Sequence, residues 1–119
     1  MRNALIRANS LGQSSWYDNI SRALLSSGEM KSLIDMGISG VTSNPTIFEK
    51  AITTSADYDA EISKRANRSI EADTIFEDLA IRDIRDTADL LKTVYDRSHC
   101  VDGYACLEVS PHLAHNTLG

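Results

Sequence analysis

Three short strand-like segments alternate with helical sequence along this chain, and that alternation limits the fold more than any other feature. Ser14 to Asp18 puts Ser14, Trp16 and Asp18 on one side and Ser15 and Tyr17 on the other, as a strand does. Ile38 to Ser43 forms a second strand, ended by Asn44-Pro45. The residue before proline is pushed toward extended geometry, and proline suits the first turn of a helix. Gly103 to Val109 forms a third, with Tyr104, Cys106 and Glu108 on one side and Ala105, Leu107 and Val109 on the other. Strands separated by helices predict the parallel sheet of an α/β fold.

The helical segments carry their own signals. Ser21 predicts an N-cap for a helix from Arg22, which Gly28 interrupts. A second helix is predicted over Glu29 to Met36, with Gly37 as its C-cap. Thr46 to Ile52 should be helical, with Ser43 or Asn44 near its N-cap, and Asp57 to Ala66 is a weaker helix. The strongest signal lies between Glu71 and Arg97. There Phe76, Ala80, Ile84, Ala88, Leu91 and Tyr95 form a stripe of 3.6-residue type. Asp78 with Arg82, Arg82 with Asp86 and Arg85 with Asp89 place opposite charges four apart on an exposed face.

Composition narrows the function class. The chain has 119 residues, 42% of them hydrophobic and 24% charged, which suits one globular domain spanning 1–119. Its formal net charge of −5 argues against a nucleic-acid-binding protein, though it leaves room for a local phosphate site. No apolar run approaches the roughly 18–20 residues needed to span a bilayer. The N-terminus carries Arg2 and Arg7 without an apolar core, which argues against a secretory signal; residues 1–17 bear only a faint likeness to a transit peptide. Cys100 and Cys106 do not make a disulfide framework, so a reducing, cytoplasmic location is expected.

The functional signal is positional. Asp18, Asn44 and Glu108 each fall at the C-terminal end of a predicted strand, where parallel α/β folds build their sites. Carboxylates serve as general acid or base once burial tunes them, and an amide can orient a substrate hydroxyl or a water. An Asp or Asn at a strand end equally serves as a helix cap or turn residue, and spacing alone favours that role. Trp16, Tyr104 and Cys106 lie on the inward side, where core filling is expected. His99, His112 and His115 show no zinc-type spacing, so no metal is expected.

Three segments resemble the transaldolase family, in the family's order. Gly40-Val41-Thr42-Ser43-Asn44-Pro45-Thr46-Ile47-Phe48 resembles its signature, in which a short strand ends in Thr-Ser/Thr-Asn-Pro. The stretch from Leu11 to Ile20 is similar to the first strand of the bacterial and plant type, and Asp102 to Pro111 to the third. The resemblance implies a (β/α)8 TIM barrel that moves a dihydroxyacetone unit between sugar phosphates. The donor would be sedoheptulose 7-phosphate, the acceptor glyceraldehyde 3-phosphate, and the products erythrose 4-phosphate and fructose 6-phosphate. A lysine Schiff base carries the three-carbon unit, and no cofactor is needed. By motif, Asp18 handles the proton of the sugar hydroxyl at cleavage, and Glu108 helps a catalytic water move protons. Asn44 hydrogen-bonds the three-carbon unit, with Thr42 and Ser43 of the same motif as further substrate-binding residues.

A closed barrel takes about 250 residues, or about 200 at the least, so this chain is expected to supply only the first three strands. The family's Schiff-base lysine lies on the fourth. Lys31, Lys50, Lys64 and Lys92 fall in predicted helices or loops, and none ends a strand. The expectation is therefore an N-terminal third, inactive alone, of an enzyme that is a possible homo-oligomer when complete. The alternatives are a free-standing sugar-phosphate-binding module and the N-terminal part of a transaldolase–glucose-6-phosphate isomerase fusion.

Overall fold

The computed structural model describes residues 3–118. Met1, Arg2 and Gly119, which the single-domain and leader readings touch, lie outside the described residues. The strands β1 (Trp16–Asp18), β2 (Gly40–Thr42) and β3 (Tyr104–Cys106) pair in parallel, in the order β1-β2-β3. Trp16 stands level with Gly40 and Tyr104, Tyr17 with Val41 and Ala105, and Asp18 with Thr42 and Cys106. This is an α/β fold with a parallel sheet, as the alternation predicts.

Each strand is shorter than predicted, for a reason visible in the backbone. Single ladder bonds precede the strands: Ser39 N–H donates to Ser15 O at 2.9 Å and Gly103 N–H to Ser39 O at 2.8 Å. At the other end β2 gives way at Asn44-Pro45. Leu107, Glu108 and Val109 then have no β2 residue to pair with, and they run as coil rather than strand.

Six α-helices accompany the sheet among the described residues: α1 (Ala4–Ser10), α2 (Arg22–Ser26), α3 (Glu29–Asp35), α4 (Pro45–Thr53), α5 (Asp59–Ala66) and α6 (Ala72–Arg97). The predicted N-caps form at Ser21 and Asn44, while α3 ends one residue early with Met36 as its C-cap and Gly37 just beyond. Ser21 Oγ accepts from Leu24 N–H at 3.1 Å, and Pro45 opens α4 at its first turn. The helix α1 is not predicted by the apolar pattern. It is capped by Asn3 and tied to the α3–β2 turn by Asn3 Nδ2 to Met36 O at 2.6 Å and Asn9 Nδ2 to Gly37 O at 2.8 Å.

The long helix is where predicted, but its buried face is turned. The buried positions are Ile75, Leu79, Ala80, Asp83, Thr87, Leu91 and Val94; of the predicted stripe Ala80 and Leu91 are among them, while Ala88 is exposed. Asp83 and Thr87 hide this face from a hydrophobic reading. Thr87 satisfies its hydroxyl on Asp83 O at 2.8 Å within the same helix. The intrahelical pairs expected for Asp78 and Arg82 also change partner: Asp78 pairs with Arg65, and Arg82 with Glu61 at 3.0 Å. Tertiary partners on α5 thus take over from the i,i+4 neighbours.

One face of the sheet is covered and the other open. Val41 packs with Leu24, Met30, Ile34, Leu91 and Val94, and Tyr17 and Ala105 lean on the same cluster. The opposite face carries Trp16 and Tyr104, which are 37% and 42% exposed, and Cys106, also exposed. No element covers that face among the described residues. Gly40 separates the two aromatics. A Cβ there would lie 2.3 Å from the Trp16 ring, so only glycine lets the indole lie across β2.

Candidate functional site

The parallel sheet brings the three strand ends to one edge. Asp18 and Thr42 are the last residues of β1 and β2 and stand level in the ladder. Thr42 Oγ1 donates to Asp18 Oδ1 at 2.8 Å, so the carboxylate is held across the strand pair while remaining exposed. Thr42 hydroxyl and Asp18 carboxylate present one acceptor-rich corner to the open side.

Ser43 and Asn44 act first as structure. Ser43 is buried, and its hydroxyl donates to Cys106 O at 2.8 Å, fastening the end of β2 to the end of β3. Asn44 Oδ1 accepts from Ile47 N–H at 2.9 Å as the N-cap of α4. The cap uses only the carbonyl oxygen. Its Nδ2 group has no hydrogen-bond partner among the described residues and is available to a ligand at the half-buried strand end.

Glu108 leaves the same edge two residues beyond Cys106, the last paired residue of β3. It is exposed and touches neither Asp18 nor Thr42 through a hydrogen bond. Instead it borders a cleft of about 520 Å³ between the coil after β3 and the N-terminal half of α6. Pro45, Phe76, Ile81, Leu107, Val109 and Leu113 give that cleft apolar walls, and His112 lies beside it. The fold therefore joins Asp18 to Thr42 directly, and Asn44 and Glu108 follow the C-terminal ends of β2 and β3.

A buried polar network anchors the loop that follows Asp18. Ile20 is fully buried against Phe48 and Ala80. Two residues on, Arg22 N–H donates to Tyr58 Oη at 2.9 Å, and Tyr58 O–H donates to Asp83 Oδ2 at 2.7 Å. The Arg22 guanidinium reaches Asp83 Oδ1 at 3.0 Å and Glu61 Oε2 at 3.0 Å, and stacks 4.4 Å from the Tyr58 ring centre. Burial pushes the Tyr58 phenol well above its ordinary range, and its bond to Asp83 adds to the shift. Burial opposes ionisation of Glu61, but hydrogen bonds from Arg65 and Arg22 outweigh it and hold the carboxyl below its usual range. Composition and spacing did not reveal this network. The signal available was Asp83 in step with Leu79 and Ile75 on an otherwise apolar face.

The lysines all lie on helices: Lys31 on α3, Lys50 on α4, Lys64 on α5 and Lys92 on α6. Lys31 is exposed and paired with Asp35 at 2.8 Å. None stands at a strand end. Among the described residues no three His, Cys, Asp or Glu side chains cluster as metal ligands would, and no helix is long and apolar enough to cross a membrane.

Comparison with known proteins points to one family. The family model described as transaldolase/fructose-6-phosphate aldolase matches residues 15–119. A protein named transaldolase from Trichodesmium erythraeum is 47% identical over 116 residues, covering 97% of this chain and 30% of the relative. Transaldolase 2 of Nostoc punctiforme is 45% identical over 116 residues, with the same coverage of 97% and 30%. A transaldolase of Thiobacillus denitrificans is 46% identical over 110 residues, covering 92% of this chain and 31% of the relative. The chain thus spans about 30% of the length of the curated relatives it matches.

Proposed function

The chain belongs to the transaldolase/fructose-6-phosphate aldolase family, and from that premise we propose that it supplies one edge of a transaldolase active site. The reaction moves a dihydroxyacetone unit from sedoheptulose 7-phosphate to glyceraldehyde 3-phosphate, in the cytoplasmic pentose phosphate pathway. The three strands are the first of a (β/α)8 barrel. The amine that carries the three-carbon unit as a Schiff base is supplied by sequence outside these 119 residues. Amine nucleophiles must be partly desolvated, and the four lysines here sit on helices.

The observation that supports the site is the Thr42–Asp18 bond at the carboxyl edge. Asp18 accepts the proton from the sugar hydroxyl as the carbon–carbon bond breaks, then returns it during addition to the acceptor. Thr42 keeps the receiving oxygen in place. Asn44 offers its free Nδ2 hydrogens to a hydroxyl of the bound three-carbon unit. Glu108, at the mouth of the cleft, holds the water that carries protons while the Schiff base forms and hydrolyses.

A chimera tests this. This chain replaces the matching portion of the Trichodesmium erythraeum relative, and transfer from fructose 6-phosphate to erythrose 4-phosphate is assayed. An active chimera that loses turnover on Asp18→Ala supports the reading; an Asp18→Ala chimera of unchanged turnover overturns it. Borohydride trapping on the 119-residue chain alone is expected to yield no adduct with fructose 6-phosphate. An adduct on Lys31, Lys50, Lys64 or Lys92 would contradict the assignment of the nucleophile.

A further inference from the structure

A second concave site lies away from the strand ends, between α5, the turn that follows it and α6. Its volume is about 450 Å³, within the range of small-ligand pockets. Lys64, Arg65, Arg68 and Arg82 line it, with Glu61 as the one lining carboxylate and Ile70 as part of an apolar wall. This concentration of cations stands out in a chain of net charge −5.

The pocket's cations divide into two kinds. Arg65 and Arg82 are held in place. Glu61 accepts from Arg65 at 3.1 Å and from Arg82 at 3.0 Å, and its third guanidinium partner is Arg22 behind the pocket. Arg65 also pairs with Asp78, whose carboxylate is the other acidic group at the site. Lys64 and Arg68 are exposed and have no carboxylate partner among the described residues. The helix dipole accounts for basic residues in the last turn of α5. It does not account for Arg82 arriving from another helix, or for Arg68 beyond the helix end.

We propose that this pocket binds a small phosphorylated molecule carrying two phosphoryl groups, at a site separate from the strand-end edge. Four cations face Glu61 and Asp78, so the site retains a positive surplus after its internal pairs are made. Arg65 spends one terminal nitrogen on Asp78 and the other on Glu61, whereas Arg82 is held by Glu61 through Nη1 alone and keeps its other guanidinium N–H groups for phosphate oxygens. Lys64 and Arg68 then neutralise charge that no protein carboxylate claims. A concave pocket of this size fits a compact diphosphate, whereas an acidic protein segment would need a broad, flat surface.

Pyrophosphate is the probe, titrated calorimetrically into the 119-residue chain at low and moderate salt. Saturable one-site binding is expected, weakening as salt rises. The exposed positions allow charge reversal without breaking an ion pair, so Lys64→Glu and Arg68→Glu should keep the helical circular dichroism of the parent. Each is expected to weaken binding about tenfold or more. Lys31→Glu on α3 makes the same change of net charge elsewhere and should leave binding unchanged. Absence of saturable binding, or an equal loss in Lys31→Glu, would overturn the proposal. Neither result bears on Asp18 or on sugar transfer, so the two readings fail separately.

Discussion

Thr42 and Asp18 end adjacent parallel strands at the same level, and the threonine hydroxyl donates a 2.8 Å hydrogen bond to the aspartate. A hydroxyl that donates to a carboxylate both fixes its rotamer and occupies one lone pair, leaving the second oxygen without a protein donor among the described residues. The edge is therefore preorganised without being buried.

The chimera described above should separate these two residues. Asp18→Ala removes the proton acceptor, and turnover is expected to fall by about 10²–10⁴ with little change in KM. Thr42→Val removes only the hydrogen bond that positions it. One hydrogen bond to a charged group near the surface is worth about 1.5 kcal/mol, or about tenfold in rate. Thr42→Ser should restore most of the loss. Steady-state kinetics of the three variants checks the order.

Gly40 is the second sensitive point. Its would-be Cβ lies 2.3 Å from the ring of Trp16, the one tryptophan of the chain. Gly40→Ala should displace the indole and destabilise the fold by about 1–3 kcal/mol, the usual range for overpacking. Trp16 fluorescence reports both effects, through a red-shifted emission and an earlier denaturation midpoint. An unchanged spectrum and midpoint would show that the ring does not lie over β2.

The parts of this fold written in local chemistry were readable from the residues. Asn44-Pro45 ends a strand, caps a helix and fills its first turn by itself, so its neighbourhood follows from four residues. The parallel direction of the strands followed from alternation, whereas their order is fixed by the pairing of β2 with both neighbours. The helix α1 was hidden because tertiary bonds hold it: Asn3 and Asn9 reach backbone carbonyls at Met36 and Gly37, far along the chain. The face of α6 was misread because Asp83 and Thr87 stand where apolar residues are expected. Asp83 is satisfied by Arg22 and Tyr58, partners that no single-helix pattern displays, and Thr87 by the Asp83 carbonyl of its own helix. For the site, spacing placed Asp18, Asn44 and Glu108 at one edge, but the contact that links Asp18 to Thr42 depends on register.

Asp83 is fully buried and serves Arg22 and Tyr58 together. Removing one partner of such a set leaves the buried Tyr58 hydroxyl and the partly buried Arg22 without their acceptor. Asp83→Ala is expected to destabilise the protein by about 3–5 kcal/mol, in the range for breaking a buried ion pair. Tyr58→Phe keeps the ring under Arg22 but deletes the hydroxyl that links Arg22 N–H to Asp83. About 1–3 kcal/mol is expected there. Urea denaturation of the two variants should rank Asp83→Ala as the weaker fold, and the reverse order would show that Tyr58 rather than Asp83 is the centre of the network.

The same network sets the response to pH, with opposite signs at its two ends. Glu61 has a folded-state pKa below its unfolded value, because bonds from Arg65 and Arg22 outweigh the effect of burial. Its contribution is present above the unfolded carboxyl value of about 4.3 and is lost as pH falls through the lower folded one. Tyr58 has a raised folded-state pKa, from burial first and the Asp83 bond second. Its contribution is complete below the ordinary phenol value of about 10 and fades as pH rises beyond it. Stability should therefore form a plateau between these limits. Glu61→Gln should flatten the acid side and leave the alkaline side alone, while Tyr58→Phe should do the reverse. Denaturant midpoints measured from pH 3 to pH 11 on the three proteins test this. If Glu61→Gln instead leaves the acid limb as steep as in the parent, the acid response belongs to carboxylates outside this network.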